Sequence, residues 1–264
     1  MIYFVLFLTV ALILMILSAK WELDRKIAFP WAILMGMLAC TTIALIKSAG
    51  NNLHPLLLFF IAGSQAVILT LITILILFFR NPERTPPAQE GIIVSPADGI
   101  IKYVNEIHNN EFPFALKKKN TIPLSEFVGT DIIAGNGIQI GIGMSLLDVH
   151  VNRSPIAGKI SFLRRIPGTF NSLKKINSLL ENERVAVIIE DSGIEIGIVL
   201  IASRLVRRIC MYLSEGSEVA IGQRIGMIRF GSQVDIIMPL SRILKINVKP
   251  GDKVRAGASI LATF

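Results

Sequence analysis

Three stretches near the amino terminus are almost free of charge: residues 2–18, 28–46 and 55–79. The third, LLLFFIAGSQAVILTLITILILFF, is long enough to cross a hydrocarbon core about 30 Å thick with some tilt. The second, FPWAILMGMLACTTIALI, is close to spanning length, and the first spans only marginally. The first run lacks the charged leader and small-residue cleavage site of a signal peptide, so it is expected to stay in the mature protein. The pattern therefore predicts two or three transmembrane helices. Lys20, Arg25 and Lys26 lie between the first two runs and Arg80 and Arg84 follow the third, whereas only Lys47 lies between the second and third. The positive-inside rule then places residues 19–27 and everything after the third run on the cytoplasmic side of the cell's inner membrane. Two spans or three give the same side, because the second and third runs form a hairpin by themselves.

After FFRNPERTPP the pattern changes to short runs rich in Ile and Val, punctuated by Gly or Pro: GIIVSPADGIIKYV, GIQIGIGMS, DVHVNRSPIAGKISFL, RVAVIIE, GIEIGIVLIA and VDIIMP. Such runs predict a mainly β domain of many short strands. Residues 105–130 are polar and predict an irregular surface loop, and 168–182 is compatible with a short helix. One internal repeat is visible, with Gly216/Gly251, Val219/Val254, Gly222/Gly257 and Ile225/Ile260 all 35 residues apart. Glycines at this spacing supply the tight turns of a barrel-sandwich hybrid, the small β fold of lipoyl and biotinyl carriers. No carrier lysine lies between the two copies; RFGSQVDIIMP does. The expected organisation is a membrane anchor over 1–79 and a barrel-sandwich-hybrid-like β domain over 80–264.

Composition sharpens this division. The chain is 52% hydrophobic with a mean hydropathy of +0.62, above the usual 45–50% apolar of soluble domains. Residues 1–79 carry four basic and two acidic side chains, which leaves 23 basic and 17 acidic over 80–264, or +6 of the total +8. A basic domain tethered to a membrane has anionic lipid as its expected partner. No zinc-finger spacing or aromatic-basic interleaving points to nucleic acid. Cys40 and Cys210 have no CxxC partner and read as packing residues, and no metal site is expected.

FFRNPERTPP, SPADGI, DVHVNRSPIAG and RFGSQVDIIMP, in that order over residues 77–264, resemble the short-form phosphatidylserine decarboxylases. The resemblance implies a pyruvoyl-dependent enzyme that converts phosphatidylserine in the bilayer to phosphatidylethanolamine and carbon dioxide. It implies self-cleavage between Gly231 and Ser232 into a β chain, 1–231, and an α chain, 232–264, which stay together as a heterodimer. Ser232 becomes the covalent pyruvoyl group that forms a Schiff base with the substrate amine, so neither pyridoxal phosphate nor a metal is needed. By the same resemblance Asp98, His150 and Ser232 match the family's self-cleavage residues, with His150 as base and Asp98 orienting it. Longer bacterial members carry a second histidine where this chain has Leu147, so the donor that protonates the carbanion is left open.

The residues support this chemistry in their own terms. A serine hydroxyl can attack the carbonyl before it, and glycine removes the side chain that would crowd the tetrahedral intermediate. Gly-Ser alone is a weak signal, since Gly63-Ser64 and Gly216-Ser217 are also present. His54 sits beside a membrane run, His108 in the polar loop and His150 in a strand-like alternation, where a lone histidine more often serves packing. Asp98-Gly99 alone reads as a turn. Arg153, Arg164, Arg165, Arg207 and Arg208 are candidates for phosphate or carboxylate contact, and Lys117, Lys118 and Lys119 for anionic headgroups. GIQIGIGMS fails the GxGxxG pattern and reads as a strand with close backbone packing. Two other readings exist: a membrane-tethered adaptor, which would need a long helical hairpin that is missing, and an Asp98–His150–Ser232 hydrolase, which would lack a GxSxG elbow.

Overall fold

The computed structural model describes residues 2–20, 25–50, 53–108, 111–113, 121–123, 128, 136–168, 182–202, 209–228, 232–243 and 245–264. The chain divides into two compact units, Met1–Arg80 and Asn81–Phe264.

The first unit is three helices, α1 (Ile2–Lys20), α2 (Arg25–Ser48) and α3 (Pro55–Phe78). At about 1.5 Å per residue, the 24 residues of α2 and of α3 exceed the bilayer core, and both are apolar enough to cross it; α1 is a shorter apolar helix. Leu6, Val10 and Leu14 of α1 pack with Ala32, Met35, Ala39 and Ile43 of α2 and Leu58, Ala62 and Ala66 of α3. The four-residue spacing of small side chains on α2 and α3 lets helices approach closely, as apolar surroundings require when no hydrophobic force drives association. Polar pairs reinforce the contact: Trp31 Nε1 donates to Thr70 Oγ1 at 3.1 Å, and Thr42 Oγ1 donates to Gln65 Oε1 at 2.9 Å. The outer faces carry exposed Leu12, Ile16, Leu45, Phe60 and Ile76, a surface suited to lipid rather than water. These helices make the protein membrane-associated.

The second unit is built of strands: β1 (Ile92–Val94), β2 (Gly99–Ile107), β3 (Glu111–Pro113), β4 (Thr121–Pro123), β5 (Gly137–Met144), β6 (Val151–Arg153), β7 (Gly158–Ile166), β8 (Arg184–Asp191), β9 (Ile194–Ala202), β10 (Ile209–Met211), β11 (Glu218–Val219), β12 (Arg224–Ile228), β13 (Ser232–Pro239), β14 (Lys245–Ile246), β15 (Lys253–Val254) and β16 (Ile260–Thr263). An antiparallel eight-stranded sheet, ordered β11-β7-β8-β9-β13-β5-β2-β15, curls into a half-barrel closed by the small sheets β1-β16-β14 and β10-β12-β6. Alternation sorts its side chains. Ile138, Ile140, Ile142, Ile198, Leu200, Val234 and Ile236 face the main core, while Ala186, Ile188, Val199, Ile201 and Ile237 build a second core behind the sheet. Burial on both faces explains the near-continuous Ile/Val runs.

The 35-residue repeat belongs to a larger symmetry. Residues 95–99 (SPADG) and 154–158 (SPIAG), 59 positions apart, form matching turns. Val94 N bonds Pro155 O and Arg153 N bonds Pro96 O, each at 2.9 Å. Gly257 N closes on Ser95 O as Gly222 N closes on Ser154 O, all at 2.8 Å. Gly99 and Gly158 take φ of 151° and 143°, and a Cβ there would lie 2.4 Å from Gly143 O and 2.3 Å from Glu190 O. No side chain fits. Matching bulges follow, at Ile101/Tyr103 and Ile160/Phe162. The two halves are the pseudo-twofold form of a barrel-sandwich hybrid.

One sequence expectation needs correcting. Residues 105–107 are not loop; they extend β2 against Gln139, Ile138 and Gly137, because Ile107 still falls on the buried alternation. Within the same polar stretch β3 and β4 pair antiparallel. The helix expected over 168–182 falls almost wholly outside the described residues. Cys40 and Cys210 are free thiols.

Candidate active site

Strand β13 lies between β5 and β9, with Ser232 opposite Met144 on one side and Ala202 on the other. Its backbone is therefore fixed from both neighbours at the residue where the strand begins. Gly231 lies outside the described residues, as do Lys117, Lys118, Lys119, Arg207 and Arg208.

His150 is reached from Met144 through the turn at residues 145–149, tied by Asp148 N to Ser145 O at 3.0 Å and by Ser145 N to Asp148 Oδ2 at 2.7 Å. The imidazole is fully buried, and its Nδ1 lies 2.9 Å from the Asp148 carbonyl oxygen. A carbonyl only accepts, so Nδ1 carries the proton of the neutral ring and Nε2 is left as the basic nitrogen. The carbonyl of His150 accepts from Ile228 N at 3.1 Å, at the last residue of β12 and three positions before Gly231. Two contacts thus bring His150 to the Ser232 end of the sheet: the β5 turn that starts opposite Ser232, and the β12 end that leads into it. The other histidines stand apart in role. His54 caps α3 by accepting from Leu56 N, and exposed His108 pairs with Glu106 at 3.3 Å. Leu147 occupies the turn before His150.

Asp98, in the first of the two symmetric turns, is buried. Its partners are Arg84, which chelates both carboxylate oxygens, and the amide of Ala256, which donates to Oδ1 at 2.8 Å. The expected orienting group for His150 was Asp98; the partner found at Nδ1 is the Asp148 carbonyl. The Asp98 turn nonetheless abuts β6, which follows His150 directly, since Pro96 O accepts from Arg153 N.

A buried polar cluster on β13 was not anticipated. Asp235 accepts from Tyr103 OH at 2.7 Å, Gln139 Nε2 at 2.5 Å and Gln233 Nε2 at 2.7 Å, and Gln233 also reaches Tyr103 OH at 2.6 Å. The ring of Tyr103 lies over Gly141, where a Cβ would come within 2.3 Å of it; this is the close packing expected of GIQIGIGMS. The available signal was a lone carboxylate inside the apolar run VDIIMP. Burial pushes the Asp235 carboxyl up from 3.8 to about 6, against the three hydrogen bonds that pull it down. Burial, followed by the Asp235 charge, raises the Tyr103 hydroxyl well above its usual range. Because the native carboxyl binds its proton more tightly than the unfolded one, its contribution to stability is full below about pH 4. That contribution, about 3 kcal/mol, is lost as pH rises through about 6. Chemical unfolding in detergent should therefore show the wild type losing about that much more than Asp235→Asn between pH 4 and 7. Parallel pH profiles for the two proteins would contradict the shift.

The arginine candidates separate by environment. Arg153 is buried and committed to backbone, donating to Gly222 O and Pro82 O at 2.8 Å each. It is a structural clamp rather than an open anion site. Arg164 is exposed. Arg165 pairs with Glu183, donates to Ile209 O at 2.7 Å and lines a cavity of about 310 Å³ with Leu163, Val185, Ile209, Cys210 and Met211. That cavity borders β10, which pairs with β12, the strand whose Ile228 N donates to the His150 carbonyl.

The profile of the phosphatidylserine decarboxylase family matches residues 71–262, which takes in the whole of this arrangement. The chain belongs to the phosphatidylserine decarboxylase family. Among its relatives, the phosphatidylserine decarboxylase proenzyme of Pelobacter propionicus is 34% identical over 90% of this chain and 96% of its own length. That of Erythrobacter litoralis is 38% identical over 70% of this chain and 71% of its own. The putative archaetidylserine decarboxylase proenzyme of Methanothermobacter thermautotrophicus is 36% identical over 74% and 82%. The chain is accordingly a decarboxylase of phospholipid metabolism, made as a proenzyme.

Proposed function

We propose that this decarboxylase cuts itself between Gly231 and Ser232 and uses the resulting pyruvoyl group to convert phosphatidylserine to phosphatidylethanolamine. The Ser232 hydroxyl attacks the Gly231 carbonyl while His150 Nε2 takes its proton, and the acyl group moves from nitrogen to oxygen. A base then removes the Ser232 α-proton as the Gly231 carboxylate leaves from Cβ. Dehydroalanine results, and its hydrolysis releases ammonia and leaves a pyruvoyl group on residue 232. The products are a β chain, 1–231, and an α chain, 232–264. The observation that carries the reading is the convergence of buried His150, with Nε2 as its basic nitrogen, on the strand end that starts with Ser232. Asp98, immediately before the start of β2, supplies a fixed carboxylate near β6, the strand that follows His150.

The pyruvoyl carbonyl supplies the electron sink for loss of carbon dioxide from an amino acid headgroup. The chain's own contributions are to bind and to exclude water. Arg165, with the apolar wall of its cavity, is the candidate contact for headgroup phosphate or carboxylate. Two or three spanning helices keep the catalytic domain at the cytoplasmic face of the inner membrane, beside anionic lipid and beside a substrate that stays in the bilayer.

Intact mass of the purified protein tests this directly. The expected result is a 232–264 fragment about 17 Da lighter than its serine-initiated form, because an amine has been replaced by a carbonyl. A single full-length chain after incubation with phosphatidylserine vesicles would contradict the mechanism. Carbon dioxide release from phosphatidylserine and from its ether-linked archaeal analogue then fixes the glycerolipid, since a relative named for the latter is equally similar. Faster turnover of the ether lipid would overturn the substrate assignment and leave the cofactor intact.

A further inference from the structure

Residues 81–87 follow the last membrane helix in sequence and run onto the turns of both barrel halves. Arg224 Nε donates to Asn81 Oδ1 at 2.8 Å and its guanidinium pairs with Glu83, while Arg153 Nη2 donates to Pro82 O. Arg84 makes the remaining attachment, and it differs in kind. One edge of its guanidinium chelates Asp98, and Nη1 also donates to Ala256 O at 2.8 Å, while Ala256 N donates to Asp98 Oδ1 at 2.8 Å. The three groups close a ring in which one residue, Ala256, is held at both its backbone N–H and its carbonyl. Among the described residues Oδ1 accepts two bonds and Oδ2 accepts one, which leaves one acceptor position of Oδ2 open to them.

The pseudo-twofold provides an internal comparison. The matching turn holds Ala157 where Asp98 stands, and Ile221 where Ala256 stands. It forms the same closure, Gly222 N to Ser154 O, without a carboxylate or a chelating guanidinium at that position. The fold therefore does not require the ion pair. From this asymmetry we infer that Arg84 is a positioning residue for self-cleavage, which fixes the Asp98 carboxylate on the Ala256 peptide with one Oδ2 lone pair available to the processing groups. The inference rests on the reading of Asp98, His150 and Ser232 given above. Lysine cannot replace the planar fork, because an ammonium is a single point donor.

The test follows conversion of the full-length chain into two fragments over time, after cell-free synthesis into phospholipid nanodiscs. Arg84→Ala should slow conversion roughly ten- to hundredfold, the scale of a misplaced catalytic partner. Arg224→Ala frees the same segment at Asn81 and Glu83 but leaves the Asp98 ring, and should change the rate less than about twofold, as expected for an exposed pair. Added ethylguanidinium should restore part of the Arg84→Ala rate and leave Arg224→Ala and Asp98→Ala unchanged. Arg84→Lys, which keeps the charge and most of the volume, should fall between wild type and Arg84→Ala. Wild-type conversion in Arg84→Ala alongside a block in Asp98→Ala overturns the inference while sparing the reading of Asp98. Equal slowing by Arg84→Ala and Arg224→Ala without guanidinium rescue reduces Arg84 to an anchor of the segment. Normal conversion in Asp98→Ala removes the reading itself, and the inference with it.

Discussion

Ser232→Ala is expected to leave an uncut chain of 264 residues with no decarboxylase activity. In the proposed mechanism the hydroxyl receives the Gly231 acyl group, and the carbon framework of Ser232 becomes the pyruvoyl group. Loss of both roles in one substitution predicts complete inactivity rather than a slower enzyme. The fold should survive, because position 232 is held by backbone ladders to Met144 and Ala202 that alanine keeps. Intact mass and carbon dioxide release from lipid vesicles check the two halves of the statement. A normally cut product, or activity from an uncut chain, would remove Ser232 from the mechanism.

His150→Ala is expected to lower the rate of self-cleavage by about two to four orders of magnitude, the usual contribution of a positioned base. The side chain is fully buried and bonded to the Asp148 carbonyl, so the substitution also costs stability, roughly 1–3 kcal/mol for the carbonyl left without its donor. His150→Gln separates these effects, because its amide can still donate to Asp148 O while offering no basic nitrogen. Both variants should process slowly, and the glutamine form should unfold nearer to wild type. Hydroxylamine adds a second readout, since it cuts esters but not amides. Accumulation of a hydroxylamine-sensitive chain would place the histidine at the elimination; resistance would place it at the first attack. Processing of His150→Gln at the wild-type rate would mean that another group is the base.

The parts of this architecture visible in the sequence are those written in contiguous residues. The apolar runs predicted α2 and α3 to within three residues, because burial in lipid demands an unbroken stretch. The glycines at 216, 222, 251 and 257 exposed one half of the barrel's symmetry, since positive φ restricts those positions to glycine. The other half was missed: SPADG and SPIAG differ at the two residues that matter, and Asp98 facing Ala157 hides the relation. His150 and Ser232 stood out through their neighbours. Arg84 could not, because its ring joins residues 14 and 172 positions away. The same holds for Asp235, whose donors Tyr103 and Gln139 come from two other strands; only a sheet in register brings them together. Strand β2 ran past its predicted end because Ile107 obeys an alternation that the polar residues around it conceal.

The place of β13 in the middle of the large sheet reaches beyond catalysis. A cut after residue 231 hands β13, β14, β15 and β16 to a short second polypeptide, whose strands are woven into two sheets beside β9, β5, β2 and β1. A proenzyme that unfolds can return by itself, as a single molecule. After the cut, recovery would require two different chains to meet again, at a rate that falls with dilution and competes with aggregation. The mature enzyme's lifetime is then set by how rarely that sheet opens, and each opening is close to a final one.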